Sequence, residues 1–185
     1  MPLLQGAAET SIIASLFTQA LRQGQSLWFR VASGSMQPTF SVGDQIYIEP
    51  AMAHSLRPGE IVAFETSDSL VVHRVVRRKP SGTHILLLEM SDAYLQANWI
   101  EEQAVVGRVV AIRRGRQQAD LQRPVAKRCG AVTAYLRFRL YQVHANHKFT
   151  SFILSKCSRL VVRICSWCVR LCCSSSIPDV PGLDN

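Results

Sequence analysis

The first 128 residues of this 185-residue chain contain no cysteine; all six stand at position 129 or later. A body without cysteine has no disulfide framework, which fits a reducing compartment such as the cytoplasm. Long apolar runs are missing too. The N-terminal "MPLLQGAAETSIIASLF" has no basic leader and falls short of the roughly 20 apolar residues that a membrane helix needs. It therefore reads as neither a secretory signal nor a span. The most apolar stretch, 152–173, is interrupted by Lys156, Arg159, Arg163 and Arg170. Acids are scarce in the last part of the chain. Residues 113–185 hold 13 Lys and Arg against 3 Asp and Glu, a balance of +10, whereas residues 1–112 hold 8 against 10, a balance of −2. A near-neutral body with a basic tail favours an anionic partner at the tail.

What is present has two hydrophobic periods. Residues 9–22, "ETSIIASLFTQALR", place Ile12, Ile13, Leu16, Phe17 and Leu21 at helical spacing, with Gly24 where a C-terminal cap belongs. The pattern then becomes that of strands. "SLWFRV", "QIYIE", "EIVAFE", "SLVVHRVVRR", "HILLLEM" and "AVVGRVVAIRR" are short runs of Val, Ile and aromatics between Gly, Pro and Ser turns. The segments "SVGDQIYIEP" and "RPGEIVAFET" echo each other, each placing Gly and an acid before a strand. Gly43 and Gly59 are expected to supply turn conformations that other residues resist, with Asp44 and Glu60 as turn residues. From about residue 125 the period is helical again, with Pro124 as a start signal, a break at "HANHKF" and a second helix over 151–173.

The segment "SGSMQPTF" (33–40) places serines in a Gly- and Pro-bearing turn. Gly34 allows a tight backbone and Pro38 biases Gln37 away from helix, so Ser35 is expected on a rigid turn. A serine hydroxyl becomes a nucleophile only when a base takes its proton and donors await the oxyanion. His73, alone with Arg74 in the apolar run "LVVHRVV", is the candidate base. Asp92 in "EMSDAY", near a strand end, is the candidate to orient its ring, and Asp68 in "TSDSL" is the alternative. The G-x-S-x-G elbow is absent.

Taken in order, "SGSMQPTFSVGDQIYI", "RPGEIVAFE", "LVVHRVV", "SDA" and "VVGRVVAI" resemble the signal peptidase I and LexA-type clan of serine peptidases over about residues 25–113. The nucleophile box S-x-S-M-x-P-T followed by a G-D turn is matched by Ser33, Ser35, Met36, Pro38, Thr39, Gly43 and Asp44. Where bacterial signal peptidases carry a lysine, this chain has His73, the pattern of the archaeal and endoplasmic-reticulum branch. The resemblance implies Ser35 as nucleophile, His73 as general base and Asp92 as its orienting acid. It implies an oxyanion hole of the Ser35 N–H and the Ser33 hydroxyl, and a substrate groove walled by Met36 and Pro38. It implies a mainly β, α+β fold: a coiled antiparallel β-body, kin to a β-barrel, with an N-terminal helix and a C-terminal basic helical extension. The expected divisions are 1–24 (helix), 25–118 (β catalytic domain), 125–173 (basic extension) and 174–185 (disordered tail). The implied activity is a serine endopeptidase acting on a peptide or precursor protein, without metal or cofactor. The alternative is a peptide-binding module of the same fold with little or no turnover.

This chain departs from the family pattern in three ways. The acid box reads Ser91-Asp92-Ala93-Tyr94 in place of Gly-Asp followed by Asn, and Asn98 stands where a second acid is usual. No N-terminal anchor and no DNA-binding headpiece are expected, so the chain most resembles the anchor-free, stand-alone members. On helix 151–173, Lys156, Arg159, Arg163 and Arg170 share one arc, and Cys157, Val161, Cys165, Cys168 and Cys172 lie opposite. That stripe suits docking on the body or on an anionic membrane surface, a peripheral attachment. No nucleic-acid-binding module is recognisable, which argues against that partner.

Overall fold

The computed structural model describes residues 3–67, 69–146, 160 and 162–164. Helix α1 (Leu3–Arg22) leads into β1 (Leu27–Arg30), β2 (Gln45–Pro50), β3 (Ile61–Glu65), β4 (Leu70–Ser81), β5 (His84–Met90), β6 (Ala97–Glu101), β7 (Val105–Arg114) and β8 (Gln117–Asp120). Helix α2 (Pro124–Asn146) follows, with proline at its first position, where a missing N–H costs nothing. All pairings are antiparallel, in the order β1-β2-β7-β3-β4-β5-β6, with β8 also paired to β7. The fold is thus the α+β, mainly antiparallel arrangement expected. It is not a closed β-barrel: β1 and β6 end the sheet without pairing to each other.

Strand β3 has both faces buried. Ile61 and Ala63 pack with Leu21, Met36, Phe40, Ile46, Ile48, Val106 and Val109. Val62 and Phe64 pack on the other side with Leu56, Val75 and Leu87. This explains its continuous apolar reading, since a strand covered on both faces has no polar side to show. Strand β4 is long enough to pair with β3 through Leu70–Arg74 and with β5 from Arg74 onward. His73 and Arg74 therefore sit where one partner gives way to the other. Both echo glycines do what the sequence implies: Gly43 has φ +91° and Gly59 has φ +102°, while Asp44 and Glu60 accept backbone N–H groups of Ser41 and Arg57 within their turns.

Helix α1 begins earlier than residue 9 and is less amphipathic than its spacing suggests. Leu21 is buried and Phe17 stacks against Phe29 with ring centroids 4.6 Å apart, but Ile13 and Leu16 are exposed. Helix α2 runs as one piece through the first residues of "HANHKF" and lies against β4, with Ala134, Phe138 and Tyr141 packed beside Val76, Leu88 and Met90. The expected basic helix over 151–173 falls almost wholly outside the described residues, and the tail 174–185 lies entirely outside them. Among the described residues no helix is long and apolar enough to cross a membrane.

Candidate active site

The loop carrying Ser35 is the connection of the β1–β2 hairpin. Its base is closed by backbone bonds from Val31 N–H to Asp44 O (2.8 Å) and from Gly43 N–H to Val31 O (2.9 Å). Two Arg–Asp pairs pin its ends. Asp44 accepts the Ser41 N–H at 2.7 Å and the Arg114 Nε at 2.7 Å, while Arg114 also donates to the Ser41 hydroxyl at 2.9 Å. The bond to Asp44 holds the Arg114 guanidinium above its ordinary pKa, against the opposing effect of burial. At the other end the Thr39 hydroxyl donates to Asp92 Oδ2 at 2.5 Å.

Between these pins the chain turns tightly, with Gln37 N–H on Gly34 O (3.1 Å) and Phe40 N–H on Met36 O (3.0 Å). The Ser33 and Ser35 hydroxyls lie 3.3 Å apart and either can donate. The Ser35 carbonyl accepts the Ala93 N–H at 2.9 Å and the Ser91 hydroxyl. Among the described residues no hydrogen bond joins the Ser35 hydroxyl to His73.

Neighbours on a strand point to opposite faces, and this divides His73 from Arg74. His73 shares a face with Val71 and Val75, and its ring meets Phe64 edge-on at 6.0 Å. There its Nδ1 lies 2.5 Å from Oε2 of Glu89, a carboxylate only 3% exposed. Asn98, the direct β6 partner of Glu89, donates its Nδ2 to Oε1 at 3.0 Å. The contact suits the tautomer in which Nδ1–H donates to Glu89, which leaves Nε2 as the acceptor of the ring.

Arg74 turns the other way. Its Nε and NH2 grip Asp92 Oδ1 and Oδ2 at 2.9 and 2.6 Å, and its NH1 reaches Gly59 O at 2.8 Å. Asp92 is fully buried. Burial alone raises its carboxyl, but Arg74, helped by Arg137 and the Thr39 hydroxyl, outweighs that and holds it below the ordinary 3.8. Asp92 is therefore not against His73 as expected; strand alternation gives it to Arg74 and gives His73 to Glu89. The alternative, Asp68, lies outside the described residues.

A groove of about 410 Å³ opens beside Ser35, lined by Phe17 of α1, Phe29, Val31 and Met36, and by Leu70 and Val72 of β4. Met36 is among the lining residues, and its side chain is also core. Pro38 is not among the lining residues.

The fold and this serine-bearing hairpin have a counterpart among known proteins: the chain belongs to the Peptidase S24-like family, whose model matches residues 5–110. It is similar to "Signal peptidase complex catalytic subunit SEC11C" of Homo sapiens and of Mus musculus, 38% identical over 90 residues, covering 42% of this chain and 47% of the relative. It is also similar to "Signal peptidase complex catalytic subunit SEC11" of Fusarium vanettenii, 31% identical, covering 44% and 54%. The chain spans about half the length of these relatives. Family and relatives together are those of signal peptidase-like proteins.

Glu89 and Arg137 were not singled out from sequence. Glu89 carried a signal: it is the one acid inside the apolar run "HILLLEM", as awkward there as His73 is in its own strand. Arg137 carried none, because a basic residue in a basic helix reads as a solvated one. It is only 1% exposed.

Proposed function

We propose that the chain is a serine endopeptidase in which Ser35 is the nucleophile, His73 the general base and Glu89 the carboxylate that orients it. The single observation carrying this reading is the 2.5 Å contact of the buried Glu89 with His73 Nδ1 in a chain of this family. In the reaction a shift of the Ser35 loop against β4 brings the Ser35 hydroxyl within hydrogen-bond reach of His73 Nε2, since Ser35 lines the groove with Leu70 and Val72 while His73 lies on the face of Val71 and Val75. The hydroxyl then gives up its proton and attacks the substrate carbonyl carbon. The Ser35 N–H and the Ser33 hydroxyl hold the oxyanion. Collapse breaks the C–N bond, and the proton on His73 passes to the leaving amine. Water, deprotonated by His73, then hydrolyses the ester and returns the proton to Ser35. The groove supports an extended peptide or precursor protein with apolar side chains near the scissile bond. Asp92 serves this site indirectly, holding Thr39 and Arg74 behind the nucleophile loop.

A second reading, a peptide-binding module without turnover, is favoured by the absence of a Ser35–His73 hydrogen bond among the described residues. Incubating wild type and Ser35→Ala with precursor proteins bearing apolar, small-residue cleavage regions separates the two. Cleavage by wild type alone supports the peptidase; equal binding with no cleavage by either supports the module.

A further inference from the structure

Helix α2 lies beyond the residues matched by the family model, yet one of its side chains reaches the turn behind the nucleophile. Arg137 donates to three backbone carbonyls of a single turn: Ser91 O at 2.5 Å, Asp92 O at 3.1 Å and Tyr94 O at 2.5 Å. The opposite side of that turn presents donors to Ser35. The Ala93 N–H and the Ser91 hydroxyl both bond the Ser35 carbonyl. One peptide unit is gripped at both ends, because the Asp92 carbonyl and the Ala93 N–H belong to the same amide. That unit is planar and stiff, so a shift at Arg137 is delivered to the Ser35 backbone with little slack. A guanidinium on the carbonyl also polarises the amide and strengthens its N–H as a donor.

We propose that Arg137 is a positioning residue for the nucleophile, fixing the Ser35 backbone through the 91–94 turn and making α2 part of the working peptidase. The proposal rests on Ser35 being the nucleophile. Lysine at 137 is a single ammonium and cannot reproduce the planar fork that spans three carbonyls.

The test compares Arg137→Lys and Arg137→Ala with wild type, at a temperature where circular dichroism shows all three folded. Two quantities are read: precursor cleavage, and exchange of the Ala93 amide hydrogen by NMR. The expected result is a kcat loss of about tenfold to a hundredfold with KM little changed, and faster exchange at Ala93 than in β3 or β7. Guanidinium ion in the buffer should restore part of the Arg137→Ala rate. Wild-type kcat in Arg137→Lys overturns the proposal, and so does unchanged Ala93 exchange. If both variants fail to fold, Ser91→Ala carries the test. It removes one of the two bonds to the Ser35 carbonyl, and an unchanged kcat there overturns the proposal equally. Failure of the underlying reading is distinguishable: Ser35→Ala would still cleave, while Ala93 exchange would still report whether Arg137 holds the turn.

Discussion

Arg74 and Asp92 form a two-point ion pair, Nε to Oδ1 at 2.9 Å and NH2 to Oδ2 at 2.6 Å, with the carboxylate shut off from solvent. Through the Thr39 hydroxyl the pair also fastens the Ser35 loop. Asp92→Asn leaves the Arg74 charge buried without its counterion, and breaking such a pair costs about 3–5 kcal/mol. Equilibrium urea unfolding at neutral pH should show a loss of this size, and an unchanged midpoint would remove the pair from the stability argument. The same carboxyl sets an acid limb. Its folded pKa lies below the ordinary 3.8, so its contribution is fully present above that value and disappears as pH falls through the depressed one. Wild-type stability should therefore fall steeply below about pH 4, and Asp92→Asn should flatten that fall.

The Glu89 contact with His73 leads to a different experiment, because its effect is on rate. Glu89→Gln keeps the shape but replaces a pure acceptor by an amide that can present N–H to Nδ1. The ring then settles in the wrong tautomer, and kcat should drop by about 10³- to 10⁴-fold. Asn98→Ala removes only the support of Oε1 and should cost less, on the order of 10- to 100-fold, as loss of an outer partner typically does. Both variants should bind a non-cleaved peptide as wild type does. If Asp92→Asn abolishes turnover with the fold intact while Glu89→Gln retains it, the assignment of the orienting acid is wrong.

That assignment shows where reading the sequence stops. Strands β2, β3, β5 and β7 were legible because Val, Ile and Leu mark buried ladders. The turn around Ser35 was legible because Gly34, Pro38 and the Gly43–Asp44 pair are local signals. Strands β6 and β8 were missed: "ANWIE" and "QQAD" are mostly polar, and pairing to a neighbour defines them more than their own composition does. The choice between Glu89 and Asp92 depends on which strand face each acid meets. That is fixed by the β4–β5 register and its irregularity between Val75 and Arg77, which no local pattern encodes. Arg137 depends on α2 docking, a contact between segments 45 residues apart.

The two hydroxyls 3.3 Å apart at Ser33 and Ser35 make separable predictions. Ser35→Ala should lose all acyl-enzyme chemistry and all labelling by a fluorophosphonate. Ser33→Ala should retain labelling at a reduced rate and lose about 10²- to 10³-fold in kcat, the usual loss for one oxyanion donor. A Ser33→Ala variant with full activity would leave the second donor to be found elsewhere, and Ser33→Thr, which keeps a hydroxyl, should recover part of the rate.

Two glycines with the same backbone handedness should respond unequally to alanine. Gly43 has φ +91° with nothing within 4 Å of an added Cβ, so Gly43→Ala should cost only the left-handed backbone penalty, about 1–2 kcal/mol. Gly59 has φ +102°, and an added Cβ would stand 2.4 Å from the backbone nitrogen of Ala131 in α2. Neither side can yield there, because Gly130 already lets the helix pass so near that its own Cβ would meet Gly59 O at 2.7 Å. The clash must push α2 off β4. The Gly59 carbonyl also accepts Arg74 NH1 at 2.8 Å, so the displacement reaches the buried ion pair as well. Gly59→Ala should cost clearly more than Gly43→Ala, about 3–5 kcal/mol, with α2 amides losing exchange protection before those of β3 and β7. Equal losses in the two variants would mean that α2 docks too loosely to transmit anything to Ser35.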